Sequence, residues 1–220
     1  IARPTLSARA QFAGFTTSGV TIDNPIINFT LAPSGEAYRG HAEVEGSVGG
    51  QPLTAEADVG IVGSSLAFDN LIAEAGRLEA RGRATLSPRG VDAQLSLDGA
   101  LDGLTPGVTG RVNGTATLTP ESVQVTATIA DARAGDLFIR AATVQAAGPY
   151  RDIDATFDMR GRLRQAPLRF NGTAQVSATD GSTRAQISGE GVLAEAAIAT
   201  RAPITATWTD SALYAALNVA

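Results

Sequence analysis

The sequence predicts an all-β protein built as an array of hairpins, and two observations predict it. Apolar and polar residues alternate with period two along most of the chain, which is typical of strands with one apolar and one polar face. A hairpin pattern also occurs twice, as GRATLSPRGVDAQLSLDG at residues 82–99 and as GTATLTPESVQVTATIAD at residues 114–131. Such a repeat indicates units that bury an apolar face only against their neighbours.

Each copy of the repeat is interpreted as one hairpin. A first strand leads to a turn at Pro88 or Pro120, and a second strand follows in which apolar side chains alternate with polar ones. Thr, Ser, Gln and Arg fill most of the polar positions, and this mixture favours strands over helices.

Before the repeat, the alternation predicts short strands at residues 6–12, 20–22 and 27–31, with a turn at residues 23–25 (Asp-Asn-Pro). Three more strands are expected between residues 36 and 80.

The first of those three strands is expected to end at the Gly49-Gly50 pair. Residues 66–78 (LAFDNLIAEAGRL) are the one stretch whose apolar spacing fits a short helix as well as a strand.

After the repeat, Leu137, Ile139 and Ala141 are expected on one side of a strand. Residues 153–163 form the longest alternating run. That length predicts either a turn at Gly161 or one long, curved strand, since most strands have five or six residues.

The last strands are expected at residues 172–177, 204–209 and 213–219, with an Asp-Gly turn at residues 180–181. About 14 to 17 strands and no confident helix are expected in total. We interpret residues 1–220 as a single repetitive β segment cut from a longer protein, whose signal or membrane anchor would lie outside it.

Charge and cysteine content argue against several functions. A formal net charge of −5 and a pI near 4.9 argue against nucleic-acid binding, which needs a clustered basic surface. The chain has no cysteine, so disulfides and thiolate metal sites are excluded. We expect no metal and no cofactor.

Few residues suit catalysis. The one histidine, His41, lies beside two glutamates and is interpreted as a surface residue, because no Gly-x-Ser-x-Gly motif accompanies it. Glycine-rich stretches at residues 46–50 and 60–65 are interpreted as turns, because neither has a P-loop lysine. We therefore predict that the protein is not an enzyme.

Two charged clusters on one predicted strand each have two interpretations. The acidic cluster comprises Asp152, Asp154 and Asp158. It could hold Ca²⁺, but calcium cages draw on loops and carbonyl groups, so a solvated strand face is favoured. The basic cluster comprises Arg160, Arg162 and Arg164. It could contact lipid phosphate, but a solvated rim is again favoured.

The remaining candidate site is the apolar face of the array. In an open groove, acyl chains lying on this face would gain about 0.8 kcal/mol per buried CH₂. In a closed β-sandwich or a filled β-solenoid, the same residues would form a core. The candidate lining residues are Leu86, Val91, Leu95, Leu97, Leu118, Val123, Val125, Ile129, Leu137, Ile139, Ile153, Phe157, Met159, Phe170, Val176, Ile187, Ile204, Trp208 and Leu217.

Several short motifs accompany the repeated hairpins. They are GRLEARG at 76–82, GDLFI at 135–139 and GPYRDID at 148–154, together with GQPL at 50–53 and APL at 166–168. These motifs resemble the TamB family of the AsmA-like group, the inner-membrane components of the bacterial translocation and assembly module. The likeness extends over essentially the whole chain.

The resemblance implies a long β-groove, or β-taco, with an apolar interior, lying in the periplasm as part of an inner-membrane-anchored protein. It implies phospholipid transport between the membranes, support of outer-membrane protein assembly and protein secretion, and no catalytic residues. It also implies an Omp85-type outer-membrane partner, TamA, contacted through regions outside this segment. The alternative is a structural or adhesive β-solenoid without lipid cargo, such as an autotransporter passenger.

We expect the far-ultraviolet circular dichroism spectrum of the purified chain to be that of a β-protein, because period-two alternation recurs throughout the sequence. Ordinary domains contain roughly 30% helix, so a helical fraction above about a quarter would contradict the predicted fold class.

Overall fold

The computed structural model describes residues 4–17, 20–102, 107–179, 182–209 and 212–216, and every regular element within them is a β-strand. The predicted all-β hairpin array is confirmed. The strands are β1 (Leu6–Gln11), β2 (Gly14–Thr17), β3 (Val20–Ser34), β4 (Ala37–Val48), β5 (Gln51–Val62), β6 (Ser65–Ala75), β7 (Leu78–Ser87), β8 (Gly90–Ala100), β9 (Val108–Leu118), β10 (Ser122–Ala134), β11 (Leu137–Pro149), β12 (Asp152–Leu163), β13 (Ala166–Thr179), β14 (Ser182–Leu193), β15 (Ala196–Ala199), β16 (Ile204–Thr209) and β17 (Ala212–Ala216).

The chain divides into two units by its internal contacts. Unit 1 comprises Ile1–Val108 and Thr115–Pro120, and unit 2 comprises Thr109–Gly114 and Glu121–Ala220. Strand β9 contributes residues to both. The two copies of the sequence repeat fold as expected, each as a strand, a turn at its proline and a second strand.

Unit 1 is an antiparallel meander in which each strand from β3 to β8 pairs with the next. The other edge of β3 is shared by β1 and β2. The first hairpin turns carry Gly35, Gly50 and Gly63, with φ of 60°, 77° and 60°. Glycine adopts such positive φ without steric cost, so the chain can reverse within two residues. The turn predicted at Gly49-Gly50 is therefore confirmed.

Unit 2 is a second antiparallel meander, formed by β10 to β14. The outer edge of β14 is shared by β15 and β16, and β17 pairs with β16. Strand β12 pairs with β13 along its whole length, so residues 153–163 form one long strand without a turn at Gly161. The turn predicted at residues 180–181 lies outside the described residues.

Residues with left-handed backbone occur inside three strands. Asn24 in β3, Asn70 in β6 and Asp131 in β10 have φ of 48°, 52° and 51°. The register to the neighbouring strands shifts at Asn24 and Asn70, as in a β-bulge. Asn and Asp tolerate this conformation better than other residues with a side chain. After each of these residues, the other set of alternating strand positions faces the apolar side.

These irregularities decide three details that the sequence pattern misplaced or left open. The turn at residues 23–25 is wrong, because β3 continues through it with a bulge at Asn24. The helical spacing at residues 66–78 belongs to strands, because the bulge at Asn70 brings Phe68 and Leu71 to one face.

The third correction concerns Ala141. The register of β11 against β12 shifts between Ile139 and Ala141. Ala141 is consequently exposed on the polar face beside Arg160, and Ala142 is the buried residue on the apolar face.

We predict that Asp131→Val destabilises the protein by about 1–2 kcal/mol, because a β-branched residue is strained at positive φ. Asp131→Gly should leave the free energy of unfolding within about 0.5 kcal/mol of wild type. Urea unfolding followed by circular dichroism measures both. Equal losses in the two variants would show that the Asp131 side chain matters and its backbone conformation does not.

Candidate functional site

Apolar side chains form continuous rows across the strands of unit 2. Residues that lie directly opposite each other on paired strands have Cβ atoms roughly 4.5–5.5 Å apart, so one row follows the hydrogen-bonding direction without a gap. The longest row comprises Val125, Ala146, Ala155, Ala174, Ile187 and Ile204.

Unit 1 has the same construction. One of its rows crosses seven strands and comprises Ala10, Ile27, Val44, Ala55, Ala73, Ala80 and Leu97. Polar side chains occupy most of the intervening positions, so each unit has one apolar face and one mainly polar face.

The apolar face is not a closed core. Six of the ten buried hydrophobic residues in the described part of the chain are alanines. Larger side chains remain partly exposed, with Leu86 at 44% and Val91 at 38%. Within each unit, the described strands make substantial contact only with strands that they pair with. A sandwich core would instead be covered by a second sheet about 10 Å away.

Two aromatic rings lie on the apolar face of unit 2. Phe157 and Phe170 stack with centroids 5.9 Å apart and an interplanar angle of 26°. A Cβ atom at Gly172 would lie 2.9 Å from Cζ of Phe157, and one at Gly189 would lie 2.7 Å from the Phe170 ring. The two glycines therefore leave room for the rings to lie over the neighbouring strands.

The structure brings most of the predicted lining residues together on these faces. In unit 1 they are Leu86, Val91, Leu95 and Leu97. In unit 2 they are Val123, Val125, Ile129, Leu137, Ile139, Ile153, Phe157, Met159, Phe170, Val176, Ile187 and Ile204. Leu118 is half-buried in β9, Trp208 belongs to β16, and Leu217 lies outside the described residues.

No lining residue was predicted from the sequence in strands β3 to β6, although they contribute to the apolar face of unit 1. Ile27, Leu31, Val59 and Phe68 lie in the rows of unit 1. The bulges in β3 and β6 interrupt the alternation. The apolar residues therefore stand at even positions before each bulge and at odd positions after it. The Asp-Asn pairs at residues 23–24 and 69–70 are the sequence signal that marks these bulges.

His41 lies on the polar face and is 46% exposed. Its Nδ1 atom is 3.6 Å from Oδ1 of Asp58, and its Nε2 atom is 3.8 Å from Oε1 of Glu43. Both distances exceed hydrogen-bonding range. The glycine-rich stretches at residues 46–50 and 60–65 complete β4 and β5 and then turn.

The charged residues of β12 make local contacts. Asp152 accepts a hydrogen bond from Nε2 of Gln175 at 3.2 Å, and Asp158 lies 3.7 Å from Arg160. Arg164 donates to Asp136 at 3.1 Å. Among the residues that the structure describes, no group of three acidic, histidine or cysteine side chains is placed to hold a metal ion.

The ion pair between Glu79 and Arg81 shifts the pKa of both residues. The hydrogen bond from the Arg81 guanidinium lowers the pKa of the Glu79 carboxyl below its usual value and raises the pKa of Arg81. The two residues are two positions apart on the polar face of β7, away from the apolar rows.

Comparison of the chain with protein-family models, with curated proteins and with solved structures gives no match. No helix in the described part of the chain is long and apolar enough to cross a membrane.

We predict that Gly189→Ala destabilises the protein by about 1–3 kcal/mol, because the new methyl group would overlap the Phe170 ring and the Asn171 carbonyl. Gly60→Ala is the matched control, since its Cβ atom would meet nothing closer than 4.0 Å and should be neutral or slightly stabilising. Thermal unfolding measures both. Equal stability of the two variants would contradict the packing described for the rings.

Proposed function

We propose that this chain is a non-enzymatic segment of a TamB/AsmA-like protein, and that its apolar sheet faces carry phospholipid acyl chains. The observation that supports the proposal most strongly is that, within each unit, no second layer of described strands packs over the apolar face. A soluble protein rarely exposes a large contiguous apolar patch unless the patch binds something.

The surface shape of the apolar face in unit 2 suits a long, narrow ligand such as an acyl chain. The row that begins at Val125 consists largely of alanines across β11 to β13. Larger residues flank it, with Val144 and Phe157 on one side and Ile153 and Val176 on the other. Rows on one face are roughly 6.6 Å apart, or two residues along a strand. The alanine row is therefore a shallow trough that runs across the strands.

An acyl chain on this face would be partly removed from water, but no polar side chain in its described part is placed to recognise a particular headgroup. No polar or charged side chain is buried in the described part of the protein. Each CH₂ group that leaves water gains about 0.8 kcal/mol, so affinity would grow with chain length. Such a site selects hydrocarbon and leaves the headgroup in solvent.

The motif resemblance supports the biological setting of the proposal. We place the segment in the periplasm, within an inner-membrane-anchored protein that conducts phospholipids and supports outer-membrane protein assembly. An Omp85-type partner such as TamA would be contacted through other regions. A β-solenoid without lipid cargo is the competing function.

Native mass spectrometry of the purified chain tests the proposal directly. Copurified phospholipid, released as the collision energy rises, is the expected result. Repeated preparations without bound lipid, and without uptake from added phospholipid, would favour the solenoid.

We further predict that Val125→Asp and Phe157→Asp lower lipid binding while the lipid-free protein keeps a near-normal melting temperature. On an open face, water can solvate the new carboxylate, whereas in a closed core an unpaired charge costs several kcal/mol and unfolds a marginally stable domain. Native mass spectrometry and thermal unfolding measure the two effects.

The matched controls for these variants are Thr126→Asp and Thr156→Asp, which place the same charge on the adjacent exposed position of the polar face. They should retain both the fold and bound lipid. If both apolar-face variants unfold and wild type carries no lipid, the face is a core and the proposed function is wrong.

A further inference from the structure

The polar face of unit 2 carries a concentrated group of arginines on the same strands as the trough. We define the arginine cluster as Arg133, Arg160, Arg162 and Arg169, together with Phe138 at its centre. Arg133, Phe138 and Arg162 lie directly opposite one another on β10, β11 and β12. The cluster lies near the β10–β11 and β12–β13 turns.

Phe138 holds two of the guanidinium groups. The Cζ atoms of Arg133 and Arg162 lie 5.3 Å and 5.1 Å from the centroid of its ring. Both distances are within the range of a cation–π interaction. Contact with one ring restricts the rotamers of both arginines, so less entropy is lost when they bind a ligand.

The cluster has more positive charge than its surroundings neutralise. Arg160 lies directly opposite Arg169 on the neighbouring strand, and like charges in that position are destabilising. Arg162 is two residues from Arg160 on the same face. In this part of the described chain, Asp158 pairs with Arg160, and no carboxylate lies within ion-pair distance of Arg133, Arg162 or Arg169.

A bound anion would resolve this repulsion. We propose that the arginine cluster binds a phosphate group, carried by an anionic lipid headgroup or by a soluble phosphate ester. Guanidinium groups match the oxygens of phosphate with paired hydrogen bonds, and the cluster presents several of them on two adjacent rows.

The site is separate from the acyl trough, because the two occupy opposite faces of β10 to β13. The cluster therefore contacts a membrane surface or a soluble ester rather than the headgroup of a chain lying in the trough. Nucleic acid fits less well, because unit 2 contains as many acidic residues as arginines, ten of each.

The test uses vesicles of phosphatidylglycerol mixed with phosphatidylcholine, vesicles of phosphatidylcholine alone, and glycerol phosphate in solution. Wild type should float with the anionic vesicles at low salt and detach as salt rises. If the site takes soluble esters, glycerol phosphate should shift the amide resonances of residues 133, 138, 162 and 169. Preferential binding to anionic vesicles identifies a headgroup, and binding of glycerol phosphate alone identifies a soluble ester.

Arg133→Gln combined with Arg162→Gln should weaken binding to anionic vesicles roughly 30-fold, since each arginine near an anionic surface contributes about fivefold. The matched control combines Arg111→Gln with Arg184→Gln, exposed positions of β9 and β14 outside the cluster. It removes the same charge and should bind nearly as wild type does.

Arg169→Gln separates a ligand-binding role from a structural one. Removing one of two directly opposed arginines should preserve or raise the melting temperature, and it should still weaken binding about fivefold. Equal losses in the cluster and control double variants, absence of both vesicle and glycerol phosphate binding, or tighter binding to duplex DNA would each overturn the proposal. Val125 lies on the other face, so a Val125→Asp protein that stays folded should keep this binding. Wild-type binding to anionic vesicles should persist even if native mass spectrometry finds no lipid in the trough.

Discussion

The hydrogen-bonded ladder between successive strands is the constraint on which the rest of each unit depends. Within a unit the described strands make substantial contact only with their ladder partners, so each strand is ordered mainly by two neighbours. Stability in such an arrangement is close to a sum of nearest-neighbour terms. In the described part of the chain most buried hydrophobic side chains are therefore alanines, because these small residues are screened by the larger ones on adjacent strands.

Because no second layer of described strands covers a face within a unit, the apolar residues of every strand must lie on the same face and the polar residues on the other. Because side chains alternate, a slip of one residue would exchange the two faces. At Asn24 and Asn70 a bulge shifts by one residue the positions of β3 and β6 that face the apolar side. The apolar residues on both sides of each bulge therefore remain aligned with the neighbouring rows. In unit 2, the left-handed Asp131 and the irregularity at Arg140 lie opposite each other. The positions that face the apolar side therefore shift in β10 and β11 at the same place, and the two strands stay in register.

In the functions that we propose, the two faces of β10 to β13 provide different kinds of binding. One face presents a trough of alanines flanked by Val144, Phe157, Ile153 and Val176, where we propose that burial and dispersion hold hydrocarbon. On the other, charge acts through guanidinium groups gathered around Phe138.

The sequence by itself determined the strand class, most strand positions, the hairpin turns at glycine and the apolar identity of residues such as Val125 and Phe157, because period-two alternation and turn chemistry are local. It predicted twelve lining residues that share a face in unit 2. Only the tertiary structure decided which residues of β3 to β6 join the rows, because a bulge is defined by the register to a neighbouring strand. The pairing of Arg133 and Arg162 around Phe138 also required the structure, since these residues lie far apart in sequence and meet only through the ladder.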